Sequence, residues 1–373
     1  MRMRVVICGG GVIGACTAYY LSRREVDVTV VEVAGVANAA SGKAGGFLAY
    51  DWCAGSPLDA LARRSFTLHA QLPGEVGHDI DDDWGYRRMD AYSGFILPYE
   101  NAPRQNRPRL PWLSEGVVIS SHLSTPDTTA IVHPGKFTTA IMRAAEKHGT
   151  RLVDARVTGL MPAGDESTIR GVEIEAGLIE ADAVLIAMGP WSILAAQWLK
   201  LPKVWAEKSS SLIYDTGDAV PAEALFLEYT TEARQTVTVE VFPRVGHTYV
   251  TAFAGSSPLP VDPADVSPET AALDQIKQVA AKVSPVFDSS RIVARQACYR
   301  PIVQDGLPLI GKISQTENVY VATGHNVWGI LNAPATGEAM ADLIVDGVAR
   351  NLDLTAFDPI RLPPLDPASL RIA

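Results

Sequence analysis

The chain predicts an α/β fold, α+β overall, in which a parallel sheet flanked by helices is interrupted by a discontinuous domain built on an antiparallel sheet. Three observations predict it. Residues 4–32 read strand, glycine turn, helix, strand within about thirty residues, the span of one βαβ unit. Ala183-Val184-Leu185-Ile186-Ala187 is wholly apolar, as expected of a strand buried on both faces of a parallel sheet. Between Pro202 and Ala254 the period changes to two, as in Thr236-Val237-Thr238-Val239-Glu240-Val241-Phe242, the mark of an antiparallel sheet.

Taken in order, Arg4-Val5-Val6-Ile7-Cys8 is a β-branched run that ends in glycines. Residues 15–24, free of Gly and Pro, read as a helix, and Val28-Thr29-Val30-Val31-Glu32 is the next strand. Residues 134–148 read as a helix. Arg151-Leu152-Val153 and Val157 follow, and Gly171-Val172-Glu173-Ile174-Glu175 belongs to a small antiparallel element. After Met188-Gly189-Pro190 a helix is expected over 191–199. The strand ending at Phe242 turns at Pro243-Arg244-Val245-Gly246 into Tyr249-Val250-Thr251-Ala252-Phe253. A proline-rich stretch over 256–268 leads into a helix over 269–283. Val319-Tyr320-Val321-Ala322 is a strand, 324–329 a loop and 335–346 the closing helix. Residues 1–72, 127–200 and 291–373 are assigned to the first domain, and 73–126 and 201–290 to the second.

Length and composition bound the function. The 373 residues suffice for two domains or one large domain with an insertion. Hydrophobic residues at 47%, charged residues at 20%, and 30 Gly and 25 Pro spread along the length exclude disorder and fibrous repeats. An excess of 42 acidic over 32 basic residues, net −10, argues against nucleic acid or an anionic membrane as partner. Cys8, Cys16, Cys53 and Cys298 stand far apart, neither a disulfide framework nor a zinc pattern, which suits a cytoplasmic protein. No pair of histidines has i, i+4 spacing, and no Gly-x-Ser-x-Gly elbow occurs, so no metal site and no serine hydrolase are expected. The apolar run before the first glycines is too short for a signal peptide. The longest apolar stretch, 183–199, is broken by Gly189-Pro190 and Gln197, so no membrane span is expected.

The glycine turn carries the chemistry. In Gly9-x-Gly11-x-x-Gly14 the first glycine permits the tight turn, and the second lets backbone N–H groups approach a pyrophosphate, Val12 and Ile13 among the residues there. The third lets helix and strand pack closely, and the helix N-terminus faces the anion with partial positive charge. Glu32 lies 18 residues past Gly14 at the end of the second strand, where its carboxylate can accept hydrogen bonds from a ribose diol. It would repel a 2′-phosphate. This is a Rossmann-type dinucleotide site, open at this point to FAD and NAD alike.

Further motifs separate the two. Gly9-x-Gly11-x-x-Gly14-x-x-x-Ala18-x-x-Leu21 followed by Val28-x-Val30-x-Glu32 is similar to the long flavoprotein form of the fingerprint. Ala40-Ser41-Gly42-Lys43-Ala44-Gly45-Gly46-Phe47 resembles the flavin-side loop of the D-amino-acid oxidase, glycine oxidase and sarcosine oxidase superfamily. Ala187-Met188-Gly189-Pro190-Trp191 resembles its second FAD-contacting turn. Tyr299-Arg300-Pro301, Asp305-Gly306-Leu307-Pro308-Leu309-Ile310-Gly311, Thr323-Gly324-His325, Gly329-Ile330 and Ala333-Pro334-Ala335-Thr336-Gly337 resemble its C-terminal block. The resemblance implies FAD as cofactor, with Ser41, Lys43, Ala44, Gly45, Gly46, Val157, Ala187, Gly189, Trp191, Gly324, His325, Gly329 and Ile330 at its site beside the turn residues and Glu32. Two departures stand out. Glu25 replaces the usual glycine after the helix, so that helix is expected to end without a left-handed cap. Val327-Trp328 occupies a loop where some glycine-oxidase-like members carry an arginine.

For catalysis the resemblance implies Arg300 as a bidentate anchor for a substrate carboxylate. Glu240, three residues before Pro243, replaces an active-site tyrosine and could attract an ammonium group. Tyr299, Tyr229 and Tyr249 are alternatives for a pocket phenol. Cys298 matches the position that tethers flavin covalently in sarcosine oxidases, Lys43 is a candidate cation for oxygen activation, and the backbone of His325 is favoured over its ring. The activity implied is FAD-dependent oxidation of a D-amino acid or glycine-like amine to an imine, which hydrolyses to a 2-oxo acid and ammonia. Oxygen, giving hydrogen peroxide, or another molecule accepts the electrons. Oxidation of an N-methyl amino acid is the alternative, and a flavin-binding protein without turnover a third reading.

Overall fold

The computed structural model describes residues 2–77, 82–97, 110–164 and 167–370. Along the strand Arg4–Cys8, Val5 and Ile7 enter one apolar cluster while Val6 and Cys8 enter another, so the period of two buries this strand on both faces. Ala183–Ile186 divides in the same way. The six-stranded sheet runs in the order Leu309–Lys312, Val319–Thr323, Ala183–Ile186, Arg4–Cys8, Asp27–Glu32, Arg151–Asp154. All its pairs are parallel except that of the edge strand Leu309–Lys312. A three-stranded antiparallel sheet, Val157–Pro162, Ile169–Ile174 and Gly177–Glu180, stands beside it.

The helix Val12–Ser22 is buried along most of its length and packs against the helices Pro134–Lys147 and Gly329–Asp346. The close crossing depends on Gly337: a Cβ there would lie 2.6 Å from the Cys16 carbonyl carbon and 2.7 Å from its Cβ. Gly337→Ala should therefore cost about 1–3 kcal/mol by overpacking, read as a lower midpoint in denaturant unfolding with an unchanged slope. Past this helix, Glu25 adopts φ 57. The expectation of a helix end without a left-handed residue is corrected: a glutamate takes that conformation, at a steric cost of about 1 kcal/mol.

The closing helix begins at Gly329, before the expected position 335, and contains Pro334. Proline removes the N–H that would reach the Ile330 carbonyl. The buried His69 ring lies 2.9 Å from that oxygen through Nε2, and burial lowers its pKa to about 4. A neutral His69 donating from Nε2 supplies the missing partner, which lets the helix continue through its proline. The expected helix over 191–199 is a tighter 3-10 helix, Gly189–Gln197.

The second large sheet runs Ile292–Val303, Val204–Asp215, His247–Thr251, Thr236–Pro243, Glu223–Thr230, Asp90–Ile96, Val117–Ser124. One of its pairs, Glu223–Thr230 with Asp90–Ile96, is parallel, and the others are antiparallel. Ile292–Val303, expected beyond the domain boundary at 291, pairs along its length with Val204–Asp215 in this sheet. Val239 and Val241 pack on one face under Ile276, Val279, Ala280 and Val283 of the helix Thr270–Val283. Alternation therefore turns Glu240 and Phe242 to the opposite face. Among the described residues no helix is long and apolar enough to cross a membrane, and no cluster of His, Cys, Asp and Glu could hold a metal.

Candidate active site

One cavity runs from the glycine turn to the face of the seven-stranded sheet that carries Glu240 and Phe242. Each expected cofactor residue lines it except Gly14, Lys43 and Gly324. Gly14 acts on the turn itself: a Cβ there would lie 2.0 Å from the Gly9 carbonyl oxygen. Gly9 has φ 115, and its own Cβ would meet the Ala187 carbonyl oxygen at 2.5 Å. Gly324, at φ 81, would clash with Val303. Lys43 ends the short helix Ala40–Lys43 and acts on the Cys298 thiol as a nearby charge.

The N-terminus of Val12–Ser22 has no acidic residue in its first turn, so its partial positive charge meets the cavity unopposed. Ser41 Oγ accepts the Val12 N–H at 2.8 Å, tying the following loop to the helix start. The Glu32 carboxylate accepts the Gly10 N–H at 2.7 Å and the Ala34 N–H at 2.8 Å. It braces the glycine turn and lines the cavity. At the other end, the Asn326 side-chain oxygen is buried without a hydrogen-bond partner in the cavity wall. His325 is buried, its Nε2 lies 3.1 Å from Thr336 Oγ1, and burial lowers its pKa to about 3, so the ring is neutral.

Strand register builds the opposite wall. Glu240 stands across from Phe226 on one neighbouring strand and Thr251 on the other, and Phe242 across from Tyr249. All five line the cavity. Burial raises the Glu240 carboxyl above its ordinary value, and the Arg300 guanidinium opposes that rise. Burial also pushes the Tyr249 phenol up. On the last strand Cys298 and Arg300 face the cavity while Tyr299, between them, turns away.

Tyr299 was expected at the site. Its phenol instead donates to the Pro258 carbonyl at 2.6 Å and thereby pins the proline-rich segment. Trp191 Nε1, donating to the Pro260 carbonyl at 2.7 Å, and Arg156, paired with Asp262 at 2.7 Å, hold the same segment, so that Val261 and Pro263 close one side of the cavity. Of the tyrosines considered, Tyr249 lines the cavity, and Tyr299 and Tyr229 do not.

Arg300 reaches the cavity already paired. Its Nε donates to Glu207 Oε2 at 2.9 Å, and Nη2 donates to the same oxygen. Glu207 is its direct cross-strand neighbour, so register places a carboxylate against the Nε–Nη2 edge of the guanidinium expected to anchor a substrate carboxylate. A second arginine is wholly within the protein. Arg244 donates to the carbonyls of Ala44 and Gly45 and lies 5.2 Å over the Tyr249 ring; burial lowers its pKa to about 10. It clamps the 44–46 loop onto the sheet, where a Cβ on Gly45 would lie 2.4 Å from the Phe242 ring. The sequence reading missed Arg244 and the aromatic residues Phe226 and Phe242. The one local signal was alternation from Glu240, which puts Phe242 on the same face.

Comparison with known proteins places this geometry. The family described as DAO, FAD dependent oxidoreductase, matches residues 4–343. A Schizosaccharomyces pombe protein described only as an oxidoreductase is 31% identical over 383 residues, spanning 95% of this chain and 97% of its own length. The glycine oxidase of Pseudomonas putida is 26% identical over 99% of this chain and 98% of that protein. Among solved structures, the glycine oxidase of Geobacillus kaustophilus shares the fold at a TM-score of 0.80 and 23% identity, over 96% of this chain and 98% of that one.

Proposed function

Because the chain belongs to the DAO family of FAD-dependent oxidoreductases, we propose that its reaction is oxidation of the carbon–nitrogen bond of an amine or amino acid to an imine. The observation that carries this reading is Glu240, half-buried in the wall of the same cavity that begins at the glycine turn. Glycine oxidases among the similar proteins support it.

The residues fit FAD. The turn of Gly9 and Gly11 and the helix start at Val12 would hold the pyrophosphate, and Glu32 the adenosine ribose. Ala44, Gly45, Gly329 and Ile330 would flank the ring system, with the unpartnered Asn326 oxygen free to accept a hydrogen bond there. When bound, FAD supplies the two-electron acceptor. The chain supplies the rest. Oxidation needs a neutral amine, so an ammonium substrate must lose a proton, and a Glu240 carboxylate oxygen is placed to take it. A carboxyl whose pKa is raised by burial holds that proton better than an exposed one. Phe242 and Tyr249 exclude water around it. The imine then hydrolyses to a carbonyl compound and ammonia or an amine, with hydrogen peroxide formed when oxygen is the acceptor.

Anaerobic mixing of the FAD-bound protein with a panel of primary amines, N-methyl amines, D- and L-amino acids and glycine tests the reading. Bleaching of the flavin band by at least one member is expected. No bleaching by any member, with glucose or other alcohols reducing the flavin instead, would overturn it.

Cys298 in the cavity wall favours examining a second reading, oxidation of an N-methyl amino acid with flavin attached to this thiol. Burial pushes the thiol up to about 11 against the pull of Lys43 and Arg300, so little thiolate is present near neutrality. Acid precipitation should accordingly leave the flavin in the supernatant. Yellow colour retained in the pellet, and lost in Cys298→Ala, would reverse this expectation.

A further inference from the structure

We propose that the substrate is an amine with a bulky apolar or aromatic body and no required carboxylate, its ammonium held by Glu240 and its body by an aromatic box. The proposal rests on the amine-oxidation reading above and names the substrate class of that same site. Phe47, Trp52, Phe226, Phe242, Tyr249 and Trp328 all line the cavity. Their rings form one connected group. The Trp52 ring lies 5.0 Å from Phe47, 5.0 Å from Phe226 and 6.4 Å from Trp328, and Phe242 lies 5.4 Å from Phe47 and 5.9 Å from Tyr249. Glu240 is rooted between two of these rings in sequence and register, with Phe226 opposite it and Phe242 two residues on.

A small zwitterion such as glycine suits this wall poorly. It has no apolar surface to offer the rings, and its carboxylate would meet Glu240. The arginines that could receive a carboxylate already have their Nε and Nη2 donors engaged. Arg300 gives its Nε and Nη2 to Glu207, and Arg244 gives its donors to the carbonyls of Ala44 and Gly45. Lys43 lies near Cys298 but does not line the cavity. An ammonium, by contrast, meets one half-buried carboxylate in a wall of aromatic rings, two attractions that act on positive charge together. An attached apolar body displaces water from the rings.

Calorimetric titration of the dithionite-reduced, FAD-bound protein tests this, because the reduced protein cannot turn the probes over. The probes are benzylamine, glycine and benzyl alcohol. Benzylamine is expected to bind at least about tenfold more tightly than glycine, a difference of about 1.4 kcal/mol. Glu240→Gln should weaken benzylamine about tenfold and leave benzyl alcohol within about twofold, whereas Trp52→Ala should weaken both. Glycine binding as tightly as benzylamine would overturn the proposal on the wild-type protein alone, whether or not the variants fold. So would an unchanged benzylamine affinity in a folded Glu240→Gln. The two readings fail separately. Tight benzylamine binding without bleaching of oxidised FAD by any amine removes the amine-oxidation reading and keeps the box. Bleaching by glycine with no binding of benzylamine does the reverse.

Discussion

Gly14→Ala should be recovered with little or no FAD. The added Cβ would lie 2.0 Å from the Gly9 carbonyl oxygen and 3.3 Å from Ile7 Cγ2, and the nearer of these is backbone that cannot rotate aside. Gly9 cannot retreat either, since its N–H donates to the Val31 carbonyl at 2.8 Å and its α-carbon already faces the Ala187 carbonyl. The turn must open where N–H groups would meet the pyrophosphate. With overpacking at about 1–3 kcal/mol, FAD affinity should fall about ten- to a hundredfold. Gly74→Ala is the control: no atom lies within 4 Å of its Cβ and it lines no part of the cavity, so FAD should be retained. Flavin absorbance per protein after desalting reads both variants, with circular dichroism to confirm folding. Equal retention in the two would remove the turn from the cofactor site.

Glu32→Ala should have the next largest effect. It loses the acceptors of the Gly10 and Ala34 N–H groups as well as the proposed ribose contact. Hydrogen bonds to a charged group are worth about 1.5–3 kcal/mol each, so FAD release should speed by about ten- to a hundredfold or more. Glu32→Gln keeps one acceptor oxygen and should lose less. Its amide nitrogen cannot accept, so one of the two N–H groups is left without this partner. Fluorescence of released flavin on dilution follows the series, and an Ala variant that retains FAD like the wild type would remove Glu32 from cofactor binding.

How far the sequence reached depended on distance along the chain. The glycine turn and Glu32 were legible because strand, turn, helix and strand follow one another within a single unit, and local conformation fixes what each glycine must do. Of the three tyrosines the sequence leaves open, Tyr299 is excluded from the wall by local alternation, because Cys298 and Arg300 share a strand face that the residue between them does not join. Arg300 lines the cavity, but its partner there is not legible locally. Glu207 is 93 residues away, and only the register between the two strands sets them side by side.

Resemblance to a flavoprotein family implied the flavin-side residues, whereas the sequence by itself determined a βαβ nucleotide unit with its glycine turn and a second sheet of different period. Each of these follows from short-range steric and periodic constraints. The tertiary structure alone decided which side chains face one another across that cavity. Phe226, Phe242 and Tyr249 stand on neighbouring strands of one sheet, and Phe47, Trp52 and Trp328 reach them from distant segments. Arg244 finds its carbonyl partners about 200 residues earlier. Contacts between distant segments depend on strand register and sheet packing, which chain entropy opposes and burial of the whole core must stabilise, so no local pattern encodes them.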